Sequence, residues 1–220
     1  MRASKLFIGL FLSAGLAGVA FAEDAEEGPR EACIEIPCFD MSGRVKEFNG
    51  TWKEGQDMQE KLIKMETDLA EVEPSLRAAM GVADDAPIDK AFEDMKTTAG
   101  DKLVVTLEGG KTSFSAADDA PENVKAFADA ANEASNRLEK IAADAASMES
   151  DITRLGQEAS EATGQVNKDT MKNNGLKISD LKGELDIVKH NKTAAAGLKD
   201  RAAKVAAEST RLSNLMASMV

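Results

Sequence analysis

The 220 residues include no tyrosine, one tryptophan, one histidine and two cysteines. Each scarcity removes a class of function. A structural zinc centre takes about four Cys or His ligands, and the chain offers only Cys33, Cys38 and a distant His190. A thioredoxin-type redox centre is a C-x-x-C pair inside a βαβ pattern. In "CIEIPC" four residues separate the two cysteines, with no such pattern around them. Aromatics make up 4% of the chain and the formal net charge is −12, whereas nucleic acids and anionic lipids reward basic patches. No G-x-S-x-G, P-loop, G-x-G-x-x-G or calcium-loop motif occurs. Nothing places a base beside a nucleophile, so no catalytic residue, cofactor or metal is expected, and no nucleic-acid partner.

What is present begins with a targeting layout. Residues 1–22 carry Arg2 and Lys5, then an apolar run from Leu6 to about Leu16, then small residues ending in Ala20-Phe21-Ala22. That is the three-part pattern of a secretory signal peptide with an A-x-A cleavage site. The run is too short and diluted for a membrane anchor of about 20 apolar residues. Removing Arg2 and Lys5 with the signal takes the charge from −12 to −14. The chain is therefore expected to be exported, to a periplasmic or extracellular location.

Export bears on the cysteines, because thiols pair in oxidising compartments. Pro37 bends the chain between them, so a structural Cys33–Cys38 disulfide is expected, worth about 2 kcal/mol for so short a loop. Residues 23–38 are read as an acidic disordered leader ending in this disulfide turn, since "EDAEEGPRE" holds no apolar side chain larger than alanine.

Residues 39–220 read as a helical bundle. Val45, Phe48, Trp52, Met58, Leu62, Met65, Leu69, Val72, Leu76 and Met80 form a helical seam. Its phase slips between Trp52 and Met58 near Gly50 and Gly55, which predicts a kink or overwinding. Pro74 predicts a bend or a fresh helix near 70–74, and Gly81 a stop. The clearest signal is Val124, Phe127, Ala131, Ala134, Leu138, Ile141, Ala145, Met148, Ile152, Leu155, Ala159, Ala162 and Val166, six unbroken heptads. A reversal is placed at Asn173-Asn174-Gly175. The last seam runs through Ile178, Leu181, Leu185, Val188, Lys192 and Ala195, slips between Ala195 and Leu198, and resumes through Ala202, Val205, Ser209, Leu212, Met216 and Met219. The two slips are expected at one level of a folded-back rod.

Between the first two long helices lies an insert, 81–117. It combines a short helix bearing Ile88, Ala91, Phe92 and Met95 with a hairpin over 103–114, in which Val104, Val105 and Thr106 favour strand and Gly109-Gly110 supplies the turn. The expected fold is all-α: an elongated antiparallel three-helix coiled-coil bundle with a small helix-plus-β-hairpin insert at one end.

The function this implies is an exported, non-catalytic interaction, scaffold or chaperone-like protein that contacts a protein partner, or itself, through its helices. The alternative is a membrane-active protein whose hairpin residues Leu103, Val105 and Leu107 touch lipid. Trp52 is read as core, with partner contact as its competing role. His190 is read as an exposed residue, and the methionines as core filling rather than soft-metal ligands. Asn49-Gly50-Thr51 and Asn191-Lys192-Thr193 fit the glycosylation acceptor pattern.

Overall fold

A computed structural model describes residues 38–220. The expected signal peptide, the acidic leader up to residue 37 and Cys33 lie outside them. The described chain is mostly helical: α1 (Asn49–Ala70), α2 (Val72–Met80), α3 (Ile88–Ala99), α4 (Glu122–Gln165), α5 (Lys168–Asn173) and α6 (Leu181–Ala217), with strands β1 (Leu103–Glu108) and β2 (Lys111–Ala116) between α3 and α4.

The long helix forms as its heptads require. α4 spans 44 residues, about 66 Å at 1.5 Å per residue, and every one of its seam residues from Val124 to Val166 is buried. Pro121 precedes its first residue as the cap, where the missing N–H costs nothing. At the far end Asn167 accepts from the backbone N–H groups of Asp169 and Thr170, starting α5. Met171, fully buried, holds that short helix against the bundle. Gly175, at φ 68°, then makes the reversal into α6.

Ion pairs give the directions. Glu54 with Arg154, Thr51 with Glu158 and Glu71 with Arg137 rise along α1 as they descend along α4, so these helices run antiparallel. Glu66 with Arg201 and Glu73 with Arg211 rise together, so α1–α2 and α6 run parallel. The first seam is buried throughout. The break at Pro74 is a restart at Glu71, between α1 and α2.

Two expected irregularities are absent. α1 is unbroken across Gly55, because Gly55 is itself a buried seam position whose missing side chain is replaced by the ring of Phe39. In α6 the buried line is Glu184, Val188, Asn191, Ala195, Leu198, Val205, Ser209, Leu212 and Met216. Counting half-buried Ala202 it steps 4-3-4-3 without a slip. Lys192, assigned to the seam from sequence, is exposed, as is Ile178 at 57%. The pairing of two slips therefore has no basis: the one in α6 vanishes once Asn191 replaces Lys192 among the packed positions, and the two successive steps of three around Gly55 are carried by an unbroken helix.

The insert follows its sequence. α3 buries Ile88, Ala91, Phe92 and Met95, with Pro87 as its cap. Gly109 (φ 60°) and Gly110 (φ 88°) turn β1 into β2. The strands pair antiparallel from Leu103↔Ala116 to Glu108↔Lys111 without a bulge. The hairpin leans on α4 more than on α3. Phe114 packs edge-on against Phe127, 5.7 Å between centroids, and Phe127 meets Phe92 at 5.5 Å.

Candidate interaction surfaces

The segment 38–45 crosses α1 and α6 as a strap, pinned by polar side chains. Asn191, fully buried, accepts from the Asp40 backbone N–H at 2.6 Å and donates to the Asp40 carbonyl at 2.9 Å. Glu184, 3% exposed, accepts from the Arg44 backbone N–H and from its guanidinium. Asp180 accepts from the same guanidinium, which holds its carboxyl below the usual aspartate range. His190 is exposed, with Nε2 2.8 Å from the Cys38 carbonyl oxygen. Cys38 lies at the start of the strap, and its expected bridge to Cys33 falls outside the described residues. Trp52 is 2% exposed, stacked at a tilt between Phe39 and Phe48 with centroids 6.5 and 6.0 Å away.

The hairpin has two unlike edges. On β2, the side chain of Asn132 accepts from the Phe114 N–H at 2.9 Å and donates to its carbonyl at 2.8 Å, while the Ser135 hydroxyl donates to the Thr112 carbonyl at 2.8 Å. The backbone of Phe114 and Thr112 thus points away from β1 into α4. Residues opposite each other in an antiparallel pair share that orientation, so Val105 and Leu107, across from Phe114 and Thr112, turn their N–H and C=O groups outward, and Leu103 does the same. Their side chains lie on the α4 side, Leu103 and Val105 half-buried against the core and Leu107 49% exposed. The other face carries Val104, 55% exposed, with Thr106, Glu108, Lys111, Ser113 and Ser115.

A groove of about 600 Å³ runs between α1 and α4. Arg137, bonded to Glu71 and Glu133, closes one end. Beyond the other, Arg154 bonds Glu54 and Glu158, which holds Glu158 below the usual glutamate range. These guanidinium clasps are 17 positions apart on α4, about 26 Å. Between them Met65, Ile141 and Met148 form the floor, with Lys61, Lys64, Lys140, Asp68 and Asp144 on the walls. None of the three lysines has an ion-pair partner among the described residues.

Among the described residues no group of acidic, histidine or cysteine side chains is arranged to hold a metal, and no helix is long and apolar enough to cross a membrane. The chain matches no family model, no curated protein and no solved structure. Sequence reasoning placed the hairpin residues but missed Asn132 and Ser135, whose role shows only once β2 is laid on α4. It also missed the groove, because lysines at 61, 64 and 140 read singly as a solvated helix face.

Proposed function

We propose that this chain is an exported, non-catalytic helical interaction protein, a scaffold or chaperone-like module of the periplasm or cell envelope, built as an elongated antiparallel three-helix coiled coil. The observation that carries this reading is the α1–α4 groove. Its methionine floor adapts to varied apolar side chains, and unpaired lysines flank it in a strongly acidic protein. A polypeptide segment with apolar and acidic side chains complements both features. Asp68 and Asp144 on the same walls disfavour a pure polyanion.

The test is suppression of aggregation. The wild type is expected to protect a heat-unfolded client at near-equal molar ratio, and Lys64→Glu with Lys140→Glu to lose most of that protection while keeping the helical melt. A wild type that protects no client, and that cross-links to no protein from a probe at Lys64, removes the reading.

Lipid contact through the hairpin has less support. Leu103 and Val105 are half-buried against the core, and the outer face is largely polar. Flotation with anionic and neutral vesicles is expected to leave the protein unbound. Binding that is lost when Leu103, Val105 and Leu107 become serine would reinstate it.

A further inference from the structure

Over Leu103–Leu107 strand β1 has none of the usual protections of a sheet edge. Such edges are normally short, bulged, covered, or interrupted by proline or inward charge. Over Leu103–Leu107 the sequence reads "LVVTL" with no charge and no proline, and the register is unbroken. The opposite edge is capped by Asn132 and Ser135, so the fold spends two α4 side chains on β2 and none on β1. Outward N–H and C=O groups at Leu103, Val105 and Leu107 have no partner among the described residues, and Val104 and Leu107 beside them are half-exposed apolar groups.

The end charges say which strand fits. When "KLVVTLE", residues 102–108, is laid antiparallel on a copy of itself about a two-fold at Val105, Leu103 meets Leu107, Val104 meets Thr106, and Lys102 meets Glu108 at both ends. The three outward-facing positions then pair with one another and exchange about six backbone hydrogen bonds. We infer that β1 is a self-pairing edge through which two copies of this chain join their hairpins into one four-stranded sheet. This deepens the reading of the chain as an interaction protein by naming a second copy as one partner. The contact is isologous, so it closes at two copies. Two six-residue edges bury well under the roughly 1,600 Å² of a standard interface, so the association is weak and concentration-dependent.

Sedimentation equilibrium on the chain as recovered from cells tests it. The mass is expected to rise from one copy to two with concentration. Val104→Lys with Thr106→Lys places like charges opposite one another only in the dimer, because both side chains are exposed in the single chain. The dissociation constant is expected to rise about tenfold or more, with the thermal melt unchanged. Lys102 also bonds Asp119 within its own chain, so the end pair is tested at Glu108: Glu108→Gln is expected to weaken pairing with the thermal melt unchanged. A chain that stays at one copy at about 1 mM, or a dimer indifferent to Val104→Lys with Thr106→Lys, overturns the inference. Client protection is scored separately on the same variants. Protection without dimerisation removes this inference alone, and dimerisation without protection removes the chaperone-like reading alone.

Discussion

Phe39 occupies the space that a side chain at position 55 would need: a Cβ built on Gly55 falls 2.4 Å from the phenyl ring. Helix propensity alone favours alanine over glycine by about 1 kcal/mol. At Gly55 the collision wins, because the ring is itself buried against Trp52. Gly55→Ala is expected to destabilise by about 1–3 kcal/mol, whereas Gly156→Ala in α4, where nothing lies within 4 Å, is expected to stabilise by about 1 kcal/mol. Urea melts of the two variants should move in opposite directions. A Gly55→Ala protein as stable as the wild type would show that Phe39 does not sit there.

Asn191 combines an acceptor motif with a structural role. Its side chain is fully buried and spans both backbone groups of Asp40, so a sugar on it is incompatible with the strap. Expressed through a glycosylating pathway, the folded protein is expected to carry glycan at exposed Asn49 only. Intact-mass measurement decides the matter. Asn191→Ala leaves the part-buried N–H and C=O of Asp40 without their partner and is expected to cost about 1–2 kcal/mol.

Arg201 is 8% exposed and bonds Glu66 through two nitrogens, leaving Nη1 without a hydrogen-bond partner. Removing one partner of such a pair costs more than removing both. Glu66→Leu alone is expected to lower stability by about 1–3 kcal/mol, the upper range being reduced because Glu66 is one-third exposed. Glu66→Leu with Arg201→Met should recover most of it. A double variant no better than the single would sink the argument.

Acid should loosen the bundle. Arg154 holds Glu158, Arg211 holds Glu208 and Arg44 holds Asp180 below their ordinary values of 4.5, 4.5 and 3.8. A carboxyl depressed in the folded state contributes stability that is present above its unfolded value and lost as pH falls through its folded one. The melting temperature is therefore expected to be flat near neutrality and to fall from about pH 4.5 downward. Arg154→Gln should flatten part of that fall. A melting temperature that rises on acidification contradicts these assignments.

How much of this was readable from residues alone depends on what kind of interaction holds each part. Apolar periodicity located α4, the burial of α1 and the short α3, and Gly109-Gly110 located the hairpin turn, because burial and positive φ act through the residue's own character. The strap did not announce itself, since Asn191 and Glu184 read as polar interruptions of a seam until their backbone partners at Asp40 and Arg44 are known. Counting only apolar side chains also creates a phase slip between Ala195 and Leu198 that α6 lacks, and it hides Gly55 and Gln59 among the packed positions of an unbroken α1. Lys192 was drawn into the seam to fill the gap that buried Asn191 left.

The strap has a consequence for the order of events during synthesis. Asp40 and Asn191 are 151 residues apart in sequence, and Arg44 and Glu184 are 140 apart. Contacts of such separation form late, because they close the longest loops. A chain appearing N-terminus first makes the strap before α1 but cannot fasten it until α6 has arrived. The strap and α6 lock each other across the whole bundle, so the strap stays loose through the synthesis of every helix between them.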